Sequence, residues 1–299
     1  MRRSGPEAGA TPQTLYLDLL KRSLTRTLFT AQTGAANRSK TSRAVRWTLR
    51  HVFVPAYVAT VRRVPAIHRA VGPVERSLRR LIGSDPFERA EGRDWPADAE
   101  TMIGTIRLDH LQTCCETVLA ENVPGDLIET GVWRGGATIL MRAVLAAYGD
   151  RTRIVWVADS FAGLPRPDPA RFPHDQGDMF WAFSAELAVS LDTVKANFAR
   201  YGLLDEQVQF LAGWFKDTLP SAPIERLALM RLDGDLYEST MDALTALYPK
   251  LSVGGYVIID DYGALASCRA AVHDFRTSHA ITDPIGQIDW TGAYWRRSS

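Results

Sequence analysis

Little in this sequence is extreme, and what is scarce narrows the field. Cysteine occurs three times in 299 residues, as Cys114, Cys115 and Cys268. That offers neither a disulfide framework nor a C-x-x-C spacing, and a reducing, cytoplasmic setting is expected. Long apolar runs are missing too. The longest near the N-terminus, "VFVPAYVATV" at 52–61, is too short to span a bilayer and contains Pro55, and the leading "MRRSGPEAGATPQ" has no apolar core for a signal peptide. Net charge is nearly absent, at +1, with 46% apolar residues. The chain can therefore bury one large core plus an appendage.

The near-zero charge hides an asymmetry. From Arg38 to Arg80 there are eleven Lys or Arg and a single acid, Glu75, so a basic arm precedes an acidic remainder. Ahead of it, "TLYLDLLKRSLTRTLF" at 14–29 repeats apolar positions at helical spacing and predicts a helix packed on the main domain. The division expected is a helical, basic N-terminal arm over 1–94 and a main domain over 95–299. Within the arm, Val45, Leu49, Val52 and Phe53 fall on one face. Two readings stay open: a solvated helical hairpin or homodimer contact, and an amphipathic helix lying peripherally on an anionic membrane. No aromatic stacking set accompanies the arginines, so nucleic acid is not expected as a partner.

From 95 onward apolar, β-rich runs end in polar or acidic residues: "DLIET" 126–130, "IVWVAD" 154–159, "LALMRLD" 227–233 and "YVIID" 256–260. Helical patterns, "GGATILMRAVLAAY" and "STMDALTALYPKL", separate the first two and the last two, the latter opened by Ser239 or Thr240 as cap. This alternation predicts an α/β fold with a mostly parallel sheet and helices on both faces. Ligands of such sheets bind at the carboxyl ends of the strands. "AITDPIGQIDWTGAYWRR" reads as a C-terminal antiparallel hairpin. The loop 163–183, with four prolines, reads as a cover over the substrate.

"IETGVWRGG" at 128–136 is the first chemical motif. A strand followed by Gly131, then Gly135 and Gly136 opening a helix, allows close backbone approach and a bare helix N-terminus. The spacing is not the G-x-G-x-x-G of a pyrophosphate cradle. A cofactor without phosphate fits better, with Glu129, Thr130, Gly131, Arg134 and Gly136 around its polar tail. Asp159 and Ser160, ending the next strand, stand where an acid accepts ribose hydroxyls. Gly213, Trp214 and Phe215 follow the probable strand "QVQFL", where an aromatic can wall an adenine. Together these favour S-adenosylmethionine over NAD.

The second motif poses an electrostatic problem. "RLDGDLYEST" brings Asp233 and Asp235 to one strand end, and "GGYVIIDDYG" brings Asp260 and Asp261 to the next. Four carboxylates at one sheet edge repel unless a cation neutralises them. Hard oxygen ligands without His or Cys suit Mg²⁺ rather than zinc.

These residues carry a resemblance. "HLQTCCETVLAENVPGDLIETGVWRGGATILMRAVL", "VWVADSFAGLP", "RLDGDLYESTMDAL" and "GGYVIIDDYG" resemble the TylF family of S-adenosylmethionine-dependent O-methyltransferases, over about 95–299 with a likeness near the N-terminus as well. The resemblance implies a Rossmann-like class I methyltransferase fold, S-adenosylmethionine and Mg²⁺ as cofactors, and a natural-product glycoside as the small-molecule substrate. It implies Asp233, Asp260 and Asp261 as metal ligands and Asp235 as general base. It also implies that the segment Thr101, Met102, Ile103 and Gly104 closes over the cofactor. Glu100, just before it, departs from a family tendency to His. The alternatives are a catechol-type phenol O-methyltransferase, or a catalytically idle S-adenosylmethionine-binding module that acts through its basic arm.

Overall fold

The computed structural model describes residues 11–28, 86–94, 98–178, 181 and 187–299. The basic stretch Arg38 to Arg80 lies outside the described residues, as do Val45, Leu49, Val52 and Phe53.

Thr11 caps the first helix, α1 (Pro12–Leu24), its hydroxyl accepting the Thr14 N–H, and Pro12 occupies the first turn. Leu17, Leu20 and Leu24 turn inward and join the main core, so the helix expected here does pack on the domain. It ends five residues earlier than the apolar pattern suggested, where Arg26 takes a left-handed φ of 56°. Next come α2 (Pro86–Ala90), α3 (Gly104–Ala120), β1 (Asp126–Thr130), α4 (Gly136–Ala147), β2 (Val155–Asp159), α5 (Leu191–Arg200), β3 (Val208–Ala212) and the short α6 (Phe215–Thr218). The chain closes with β4 (Leu227–Leu232), α7 (Tyr237–Leu247), β5 (Leu251–Ile259), α8 (Ala266–Ser278), β6 (Gly286–Gln287) and β7 (Ala293–Arg296).

Seven strands form one sheet in the order β3-β2-β1-β4-β5-β7-β6. The first five pair in parallel; β7 runs antiparallel to both β5 and β6. Successive residues of a strand face opposite sides, and the cores follow that rule. Leu127, Val155 and Val157 pack with α1, α3 and α4, whereas Ile128, Trp156 and Ala158 pack on the other face with α7 and α8. The continuous apolar runs are thus strands covered on both sides, as parallel sheets require. Sequence order reverses between β1 and β4, and a crevice opens there at the carboxyl ends.

One expected cap differs. α7 begins at Tyr237, not at Ser239 or Thr240, and its flanking Leu236 offers no side-chain cap. Asp175, buried in the loop after β2, does this work from a distance, accepting the Tyr237 N–H at 2.7 Å and the Glu238 N–H at 3.2 Å. This side chain satisfies two open donors at the helix N-terminus.

Candidate active site

A cleft of about 470 Å³ lies over the carboxyl ends of β1, β2, β4 and β5. Thr101, Met102, Ile103, Glu129, Gly131, Asp159, Ser160, Trp214 and Phe215 line one part of it; Asp233, Asp235, Asp260 and Asp261 line another. Close backbone approach at Gly131 has a specific cause. Its φ is 81°, and a Cβ there would lie 1.8 Å from the Asp233 carbonyl oxygen, so β1 and β4 reach the cleft together only through glycine.

Four of the expected cofactor residues do not line the cleft but build its walls. The Gly136 N–H donates to the Glu100 carbonyl at 2.9 Å, and a Cβ at Gly136 would collide with that carbonyl and with Thr101. The helix N-terminus is therefore partly occupied by the segment that roofs the cleft, not bare. Arg134 donates to the Ala99 carbonyl at 2.8 Å and lies over the Trp133 ring. The Gly213 N–H donates to the Asp159 carbonyl at 2.9 Å. Thr130 is fully buried in β1.

Asp159 already accepts backbone hydrogen bonds, from Val132 N–H and Phe161 N–H, each at 2.7 Å. Burial raises its pKa against the pull of these donors. The bonds fix its orientation toward the cleft while leaving lone pairs for further donors. Glu129 accepts from the Thr138 hydroxyl and from Arg231. It is buried, and burial outweighs Arg231 to lift its pKa to about 7.

The acidic part divides in two. Carboxylate oxygens of Asp233, Asp235 and Asp261 lie within 4.8 Å of one another. Asp260 is not brought into that group; its carboxylate is held between Arg107 and Arg231. Burial alone would raise the Asp260 pKa, but the two guanidinium groups prevail and hold it below the usual range. Burial and neighbouring carboxylates push Asp235 and Asp261 well above it, and burial with Asp260 raises Asp233 to about 6. Asp261 Oδ2 is buried and has no hydrogen-bond partner. Three converging carboxylates with one unsatisfied oxygen, and no imidazole or thiol in the group, fit a hard cation.

Arg107 and Arg231 were missed in the sequence, although an arginine inside the apolar "LALMRLD" signals a buried partner. Arg231 is 2% exposed and bridges Glu129, Asp233 and Asp260, so the two parts of the cleft share one cation. Of the loop 163–183, Gly163 to Arg166 border the cleft.

Over 215 residues the chain is 60% identical to the 8-demethyl-8-(2,3-dimethoxy-α-L-rhamnosyl)-tetracenomycin-C 4'-O-methyltransferase of Streptomyces olivaceus, covering 72% of this chain and 82% of that protein. It is 56% identical over 210 residues to the demethyldecarbamoylnovobiocin O-methyltransferase of Streptomyces niveus, covering 70% and 80%. The solved structure of the O-methyltransferase NovP, 44% identical, superposes with a TM-score of 0.78 over 96% of this chain and 100% of that one. No helix among the described residues is long and apolar enough to cross a membrane. The methyltransferase fold implies S-adenosylmethionine as methyl donor, and residues 13–297 match the family described as macrocin-O-methyltransferase (TylF): the chain belongs to that family of O-methyltransferases.

Proposed function

We propose that this cleft methylates a hydroxyl of a sugar carried on a natural-product glycoside, with a divalent cation such as Mg²⁺ at the carboxylates. The observation that carries the reading is the convergence of Asp233, Asp235 and Asp261 in the same cleft as the Glu129–Asp159 part. The relatives support the acceptor class, since their names specify a rhamnosyl tetracenomycin, demethyldecarbamoylnovobiocin and mycinamicin III.

S-adenosylmethionine supplies an electrophilic sulfonium methyl, and Glu129, Asp159, Trp214, Phe215 and the roof Thr101–Ile103 are the residues that would hold it. The cation supplies Lewis acidity that lowers the pKa of a nearby hydroxyl, and Asp233 and Asp261 would hold it. Asp235 takes the hydroxyl proton. Its carboxylate lies in the same group as Asp233 and Asp261, within reach of a hydroxyl held beside them. The left-handed backbone at Asp235, φ 60°, turns its side chain toward the cleft between β4 and α7. Asp260 keeps Arg107 and Arg231 beneath the site.

The test is methyl transfer from labelled S-adenosylmethionine by the full chain to the three acceptors named for the relatives and to catechols. It is run with chelator and then with Mg²⁺ added back. Turnover of a glycoside, lost in chelator and restored by Mg²⁺, is expected. Turnover of catechols alone would overturn the acceptor class, and full activity in chelator would remove the cation.

A further inference from the structure

Trp290 lines the cleft but is used neither by the strand-end motifs nor by the proposed chemistry. It sits in the turn between β6 and β7. Asp289 Oδ1 accepts the Thr291 N–H at 3.0 Å and the Gly292 N–H at 2.7 Å, and Asp289 Oδ2 lies 3.1 Å from Arg107 Nε. The turn is tied to the loop that carries the aspartates. The Thr291 hydroxyl donates to the Asp260 carbonyl at 2.8 Å, and the Gly263 N–H donates to the Thr291 carbonyl at 2.7 Å. A Cβ at Gly263 would lie 2.4 Å from the Trp290 carbonyl oxygen, so the approach of the two loops is closed to any larger residue.

The indole itself is oriented from the other side. Its N–H donates to the Glu91 carbonyl at 2.9 Å, and the Arg93 guanidinium lies over the ring, 4.3 Å from its centroid. Arg93 in turn pairs with Glu91, and Gly92 between them also lines the cleft. Despite these contacts Trp290 remains 37% exposed, whereas Trp295, five residues on, is 1% exposed in the core. A tryptophan whose one polar atom is satisfied, whose orientation is held, and which lines the same cleft as Asp260 and Asp261 presents the ring face not covered by Arg93 as a fixed apolar plane.

A pyranose matches such a plane. One face of the ring carries mainly C–H bonds, weakly positive at hydrogen, and these rest favourably on the negative face of an indole. The sugar's hydroxyl edge then remains free to meet the carboxylates. We propose that Trp290 is the stacking platform for the acceptor sugar, reading its apolar ring face while the Asp233–Asp235–Asp261 group meets the hydroxyl. This rests on the glycoside reading above and adds the residue that selects the ring.

The test uses Trp290→Ala and Trp290→Phe in the full chain, with the three glycosides named for the relatives as probes. For each acceptor the wild type methylates, KM is measured with kcat, and S-adenosylhomocysteine affinity is measured by calorimetry. Trp290→Ala should raise acceptor KM roughly three- to tenfold, the range of one aromatic contact, with the S-adenosylhomocysteine affinity unchanged and with Phe recovering most of the loss. An unchanged KM in a folded Trp290→Ala protein overturns the platform. Parallel loss of acceptor and S-adenosylhomocysteine binding that Phe does not repair overturns it too, because it marks a structural role. A wild type that methylates none of the glycosides fails earlier, at the acceptor class itself.

Discussion

Replacing Arg231 by Met should be among the most damaging single changes in this chain, and its size follows from the contacts. The guanidinium is 2% exposed and meets three carboxylates, Glu129, Asp233 and Asp260. Among the described residues Arg107 alone would remain paired in this group, with Asp260 and Asp289, and its charge also acts on Asp233. Removing one partner of a buried ion pair costs about 3–5 kcal/mol, because the stranded charge stays desolvated. For a domain of this size that corresponds to a fall in Tm of roughly 6–20 °C. The control is Arg296→Met, which breaks the exposed pair with Glu121 and should cost less than about 1 kcal/mol.

The assay is urea denaturation of both variants at pH 7 and again at pH 5. Burial already raises Glu129 to about 7 and Asp233 to about 6, and loss of Arg231 raises both further. Groups whose folded-state pKa exceeds the unfolded value bind more protons when folded, so stability falls as pH rises through that window and recovers as pH falls. The Arg231→Met deficit should therefore shrink on going from pH 7 to pH 5. A deficit under 1 kcal/mol at pH 7, or one that grows on acidification, would refute the network.

Two further outcomes are expected. Asp175→Ala removes the remote cap of α7 and should cost about 0.5–2 kcal/mol in thermal unfolding; turnover should fall as well, because α7 begins two residues after Asp235. His110 is lowered by burial to about 4, so the folded state binds fewer protons than the unfolded chain between about pH 4 and 6.5, and stability is lost as pH falls through that range. With its partial exposure discounted, the loss is about 1–2 kcal/mol, and His110→Phe should flatten the Tm-against-pH slope in that window.

Strands β1, β2, β4 and β5 were legible because each is a β-rich apolar run that gives way to a polar or acidic residue. Asp126–Thr130 matches the sequence reading residue for residue. Gly131 was legible for the same reason, since a glycine after a strand marks close approach whatever lies opposite. What could not be read were contacts that depend on the fold being closed. Arg107 lies on a helix 153 positions before its partner Asp260, and nothing local marks it as buried. Asp175 looks like one more polar residue of a proline-rich loop, and its capping role exists only once α7 arrives beside it. Gly136 and Arg134 were read as cofactor contacts because their motif is local, yet both secure the roof segment 99–101 from a distance.

The adjacent aspartates show why motif and fold had to be combined. Two neighbouring residues leaving a strand point to opposite sides, so Asp260 and Asp261 do not share an environment although they share a peptide bond. Asp260 turns to two buried arginines, where its charge is needed and its pKa is held down. Asp261 turns to Asp233 and Asp235, where burial and these carboxylates outweigh Arg107 and drive its pKa up. The like-charge repulsion is thus relieved by dividing the pair, one carboxylate balancing the cations under the sheet edge and the other adding to the negative field that would attract a cation above it. Asp233 belongs to both sides, touching Arg231 while facing Asp235 and Asp261. The balance of charge below the cleft and the demand for charge within it therefore meet at Asp233, which is why a change at Arg231 must be felt by every carboxylate in the site.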